Sequence, residues 1–311
     1  MPNRSSAASP WPSDPPTAER VGVLLQRYRK TSLTTLDPLV KAWYPALAVN
    51  DNLEYRKLLE LTAKMTLVGH ACVEVAGQDF SARQQRIATL YGAICFLADS
   101  FLDDFGADAT REYIARFTQL LESGWFELRG EREVLFYVLL SRLVSERDIL
   151  QPILRQAILR LHAAQSRDVE LRGMARGGAV SRAVRARLKH CARDRSGHAI
   201  VALASFLVPE LGLDRLAGLF TAGALIMYID DHGDCHTDRR DGRVTYMNQL
   251  RAPEPALARL AQQHFARLAA TLPENPGRKL LLEFLLRYYT TRIEKHRIQQ
   301  RRAGTAWEVY E

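Results

Sequence analysis

The 311-residue sequence is 47% hydrophobic and 25% charged, with 18 glycines and 13 prolines. This is the make-up of a globular chain, and it excludes a disordered chain, a collagen-like fibre and a disulfide miniprotein. The formal net charge of +8 favours anionic partners of any kind.

Residues 1–20 are rich in Ser, Ala and Pro and have no apolar core segment. They read as a disordered leader and not as a signal peptide. From Val21 onward the apolar periodicity is helical. Val21, Leu24, Leu25 and Tyr28 fall at i, i+3, i+4 and i+7, one face of a helix. Similar stripes cover 53–76, 84–104, 110–122, 131–145, 149–171, 180–191, 198–208, 214–236, 254–272 and 277–299. Breakers such as Gly106, Gly130, Pro152, Gly177-Gly178, Pro209 and Pro253 separate them. Strand signals are nearly absent and no fixed-period repeat appears. The expectation is a single all-α domain over 21–311 with about ten or more helices. The longest apolar run, 216–229, is too short to span a bilayer and reads as a buried helix. Cys72, Cys95, Cys191 and Cys235 lie far apart with no CxxC pair. They predict a reducing, cytoplasmic setting.

Basic residues are densest over 172–195, where Arg172, Arg176, Arg182, Arg185, Arg187, Lys189, Arg193 and Arg195 stand. A solvated helix face, a nucleic-acid surface and phosphate-binding guanidiniums all fit such a run. No nucleic-acid-binding signature accompanies it, and no aromatics interleave with the arginines.

Two stripes end unusually. The apolar run from Tyr91 leads straight into Asp99-Ser-Phe-Leu-Asp103-Asp104, and the run from Leu219 leads into Asp230-Asp231-His-Gly-Asp234-Cys-His-Thr-Asp238. Residues four apart share a helix face, so Asp99 pairs with Asp103, and Asp230, Asp234 and Asp238 form a column. Like charges so spaced repel by roughly 0.2–0.5 kcal/mol per pair in water, and aspartate is a poor helix former. Such columns are unfavourable unless a cation sits between them. Hard divalent cations take oxygen ligands, and Mg²⁺ in particular combines a few carboxylates with water and substrate phosphates.

Asp99-Ser-Phe-Leu-Asp103-Asp104 resembles the first aspartate-rich motif of class I isoprenoid synthases, in the DxxxD form of squalene and phytoene synthases. Asp230-Asp231-His-Gly-Asp234 has the DDxxD pattern of trans-prenyltransferases. Asp234 to Asp238, followed by Gly242-Arg243 and Tyr246, is similar to the second motif of phytoene synthases. The column Asp230, Asp234 and Asp238 has the spacing of the second metal motif of terpene synthases, which place Asn, Ser or Thr, and Glu there.

The resemblance implies an all-α bundle of the class I isoprenoid synthase type with a central apolar pocket. Asp99, Asp103, Asp230, Asp234 and Asp238 would be catalytic and would hold Mg²⁺, in a cluster of up to three ions. Asp104 and Asp231, one position off these columns, would sit behind them. Arg182 or Arg185, with Arg239, Arg243 and Tyr246, would bind diphosphate. Tyr91, Phe96, Phe101, Phe220, Met227 and Tyr228 would wall the pocket, with Gly92, Ala93, Gly223 and Ala224 leaving room for a chain. Arg287-Tyr288 imitates a late arginine-tyrosine pair of terpene synthases but comes too soon after the second motif to be carried over. The implied partner is an allylic prenyl diphosphate, with a homodimer and peripheral membrane contact left open and neither nucleic acid nor a transmembrane segment expected.

The activity implied is a Mg²⁺-dependent terpene synthase, which ionises the diphosphate and cyclises or quenches the cation. The alternative within the superfamily is head-to-head condensation of the squalene or phytoene type. Chain elongation is disfavoured because no GKxxR-type segment occurs near the start. Outside the superfamily, the alternative is a non-catalytic all-α regulatory or nucleic-acid-binding protein.

Overall fold

The computed structural model describes residues 18–49, 52–103, 106–146, 152–174 and 180–303. They form α1 (Ala18–Trp43), α2 (Leu53–Val75), α3 (Ala82–Asp103), α4 (Gly106–Ser123), α5 (Glu131–Glu146), α6 (Pro152–Met174), α7 (Arg182–Leu207), α8 (Leu213–Arg240), α9 (Pro253–Thr271) and α10 (Pro276–Ala303). No strand occurs among the described residues. None of the described helices is long and apolar enough to cross a membrane.

Most predicted stripes become helices at nearly the expected places. The two stripes at 180–191 and 198–208 are one continuous helix, α7. Their polar junction survives because its side chains are occupied: Asp194 pairs with Arg193 and Arg167, and Arg195 pairs with Asp168. The leader expected over 1–20 lies outside the described residues as far as residue 17. Ala18, Glu19 and Arg20 are the first turn of α1, and Arg20 reaches Glu74 at 2.7 Å. Gly177, Gly178 and Ala179, expected to break a helix, also lie outside the described residues.

Five helices form a closed circuit. α2 packs on α3, α3 on α7, α7 on α8, α8 on α10, and α10 returns to α2. α1 covers α2 and α10, α5 covers α3, α6 covers α7, and α9 covers α8. Contacts at one end fix the directions. Gln84 at the start of α3 donates to the carbonyl of Leu207 at the end of α7 (3.2 Å), and Arg215 at the start of α8 donates to Ala76 (3.4 Å). Asn275, before α10, donates to the carbonyls of Glu74 and Val75. α3, α8 and α10 therefore run together toward the opposite end, where Asp99, Asp230, Asp234 and Asp238 lie.

Large apolar side chains belong to the core around these helices: Leu97, Leu203, Leu225 and Leu285 are fully buried, each contributing about 1.5–3 kcal/mol through lost contact with water. Gly92 and Gly223 leave no space for a substrate chain, contrary to expectation. A Cβ on Gly92 would stand 2.9 Å from that of Met65, and one on Gly223 would stand 2.3 Å from the carbonyl oxygen of Ser196. These glycines let α3 approach α2, and α8 approach α7. Tyr91 donates to the Ala199 carbonyl (2.8 Å) and Tyr228 to that of Lys189 (3.1 Å). Phe101 packs on Tyr113 and Phe136, and Phe220 lies over Gly197. Each of these four is engaged between helices, while Phe96 and Met227 are half-buried.

Because the atom facing Gly223 is backbone, it cannot swing away. Gly223→Ala should cost about 1–3 kcal/mol through overpacking, measured as a lower urea midpoint with unchanged slope.

Candidate active site

Asp99 and the aspartates of 230–238 follow long apolar stretches of α3 and α8, so they stand at one end of the circuit. Asp99 of α3 is about half exposed and lies 3.5 Å from the guanidinium of Arg195 on α7. Arg195, largely buried, also donates to Asp168 of α6 at 2.7 Å. It is close enough to Asp231 of α8 to oppose the rise in that carboxyl's pKa. One arginine thus ties the first aspartate helix to the second across α7. The side chain of Asp103, and Asp104 altogether, lie outside the described residues.

α8 presents its acids on two faces. Asp230 accepts a hydrogen bond from the hydroxyl of Tyr288 (2.5 Å) and pairs with Arg292; Asp234 pairs with Lys295 and lies 3.6 Å from Arg292. These three partners all come from α10. Gly233 makes the approach possible: a Cβ there would meet Arg292 Cδ at 2.6 Å. Asp231 and Asp238, seven residues apart, share the other face, toward Arg195 and Asp168. Asp231, which the resemblance set behind the column, sits on this second face. Burial first, then the negative charges of Asp238, Asp230 and Asp168, push its carboxyl well above the ordinary range.

On α10, burial and the charge of Asp230 push the Tyr288 hydroxyl well above its usual value, so it stays protonated. Burial works against the charge on Arg292, but Asp230, Tyr288 and Asp234 hold it above its ordinary value. Lys64 of α2 stands 5.3 Å from the Tyr288 ring centroid. Its pKa is lowered by burial, with Glu60 opposing and Arg292 reinforcing the shift.

The proposed diphosphate contacts are spread along the second motif and the start of α7. Gly242, with φ +69°, ends α8: the N–H of Gly242 bonds to Arg239 and that of Arg243 to Asp238. This left-handed stop turns 243–246 back beside α7. Arg239, Arg243 and Tyr246 are half-buried. Tyr246 packs on Tyr228 and under Lys189. Arg182 is exposed one residue after the helix-capping Ser181. Arg185 lies near Tyr246, with its Nε buried and unbonded. Neither contacts an aspartate of the motifs through a described ion pair.

Sequence reasoning missed Tyr288, Arg292 and Lys295. Their spacing of four and three residues puts one cationic stripe on α10, matched to Asp230 and Asp234, and that match was the available signal. Arg287, the other half of the late pair, points to α1, where its guanidinium lies 3.2 Å from the Cβ position of Gly22. Asp168 is the buried partner of Arg195.

Among the described residues no three His, Cys, Asp or Glu side chains stand at metal-ligand geometry; Asp230 and Asp234 are paired with cations of α10. The donor set still suits a hard cation: several carboxylates crowd one mouth, with the Asp231 carboxyl raised by burial and then by its neighbours' charge. A separate cavity of about 490 Å³ lies between α3, α4 and α5, lined by Tyr44, Phe101, Tyr113 and Arg116 among others. Its buried arginine is already paired in a two-pronged bridge to Glu133 (2.6 and 2.7 Å).

No protein-family model and no curated protein matches the sequence. Solved structures do match in fold. A geranylgeranyl pyrophosphate synthetase from the archaeon Geoglobus acetivorans aligns with TM-score 0.55 at 12% identity, over 88% of this chain and 99% of its own. A linalool/nerolidol synthase from Streptomyces clavuligerus, solved with 2-fluorogeranyl diphosphate, aligns with TM-score 0.54 at 18% identity, over 94% and 100%. A Marinomonas sp. MED121 protein assigned as a farnesyl-diphosphate synthase aligns with TM-score 0.52 at 14% identity, over 88% and 97%. The chain has the all-α class I isoprenoid synthase fold.

Two outcomes follow from the charge network. Arg195→Met strands the buried Asp168 and should cost about 3 kcal/mol, whereas the Arg195→Met/Asp168→Leu double variant should recover most of it. Asp231 binds its proton more tightly folded than unfolded. In metal-free protein its contribution to stability is therefore present at low pH and falls as pH rises from the ordinary aspartate range toward its raised value. Thermal midpoints taken across pH should decline less in Asp231→Asn than in the wild type.

Proposed function

We propose that this chain is a class I terpene synthase that ionises an allylic prenyl diphosphate and lets the carbocation cyclise or be quenched. The observation that carries the reading is the tie through Arg195. It joins two aspartate-bearing helix ends, about 130 residues apart in sequence, at one mouth of an apolar helical circuit. The similarity in fold to a linalool/nerolidol synthase supports it.

Asp99, Asp230, Asp234 and Asp238, with Asp103, would hold Mg²⁺, whose charge would stabilise the leaving diphosphate. Arg292 and Lys295 carry fixed positive charge at the mouth and would bind diphosphate oxygens, exchanging partners with Asp230 and Asp234. Tyr288, kept protonated, can donate its O–H to the same anion. Arg195 has the planar fork that suits phosphate oxygens and would face them from α7. Breaking the allylic C–O bond leaves its electron pair on the diphosphate, so these donors act where charge develops. The apolar walls of the circuit would keep water from the cation. Arg239, Arg243, Tyr246 and Arg185 would meet the diphosphate from the turn after α8 and the start of α7.

The test is incubation with allylic prenyl diphosphates of increasing chain length plus Mg²⁺, followed by mass analysis of the organic extract and assay of released diphosphate. A hydrocarbon or alcohol from one substrate molecule is expected. A product that requires isopentenyl diphosphate would mean elongation, a product joining two substrates would mean head-to-head condensation, and no release with any substrate would overturn the reading. Asp230→Asn or Asp234→Asn should retain helicity and lower turnover by at least about a hundredfold. Arg243→Lys should impair it less than Arg243→Ala, since it keeps the charge but loses the fork.

A further inference from the structure

On the side of α8 away from Arg195 lies a cluster that the proposed reaction does not use. His232 and His236 are four residues apart and so share a face of α8. His296 of α10 packs against both, with ring centroids 4.3 Å from His232 and 4.8 Å from His236. His232 is fully buried, and neither of its ring nitrogens has a hydrogen-bond partner. A buried polar group left so costs about 1–3 kcal/mol. We propose that His232, His236 and His296 form a binding site for a divalent transition-metal ion such as Zn²⁺, Co²⁺ or Ni²⁺, joining α8 to α10.

The chemistry favours this class of ion: three imidazoles suit borderline metals, not Mg²⁺. His296 hydrogen-bonds to the backbone of His232, the kind of contact that fixes an imidazole's tautomer and leaves its other nitrogen a lone pair. The neighbouring Glu254 is engaged by Arg297, so the fourth position would fall to water. As they stand the rings are tilted at 46° and 36° and do not yet converge among the described residues. Uptake therefore needs ring rotation about χ2, for which imidazole has a broad well.

Untagged, chelator-treated protein titrated with Co²⁺ should develop the visible absorption of tetrahedral nitrogen coordination at one ion per chain. Zn²⁺ at about 100 times its Kd should raise the thermal midpoint by about 5 °C. His296→Phe and the half-exposed His236→Ala should each abolish the spectrum, and His236→Ala suffices if the buried variant fails to fold. Asp230→Asn should leave the spectrum intact. A silent titration, a spectrum that survives both histidine variants, or one lost with Asp230→Asn would overturn the site. None of these outcomes depends on the terpene synthase reading.

Discussion

The structure turns on a conflict between burial and charge. Apolar helices carry aspartates to one end of the circuit, and carboxylates gathered there repel one another and lose solvation together. The protein answers with cations from other helices: Arg195 between Asp99 and Asp168, and Arg292 and Lys295 against Asp230 and Asp234. Where the answer is incomplete, at Asp231, the carboxyl holds its proton far above the usual range. On the proposed reading, a metal ion would take over part of this neutralisation and free the cations for an anionic substrate.

This arrangement makes α8 the central element. It meets α7 closely enough that Gly223 is required, and α10 closely enough that Gly233 is required. One polar face looks to Arg195, a second to the cations of α10, and a third carries His232 and His236 toward His296. A displacement of α8 would move every one of these groups at once.

Much of the fold was legible in the sequence, because helical periodicity and breaker residues are local signals. The stripes at 84–104 and 214–236 became α3 and α8, with Asp99 and Asp230 near their ends as expected. The continuity of α7 was not legible. Its polar centre looks like a break until Asp168 and Arg167 arrive from α6 to satisfy it.

The sequence by itself determined which residues are aspartates at helical spacing, and hence that a cation was needed somewhere near them. It also determined the all-α class, through a periodicity that each segment carries alone. Only tertiary structure decided which cations answer. Arg292 and Lys295 lie 58 to 62 residues from the aspartates they pair with, Arg195 lies 96 from Asp99, and no local rule links positions so distant. It likewise decided that Gly92 and Gly223 close helix contacts and do not open a pocket, because the space beside a glycine belongs to whichever helix packs there.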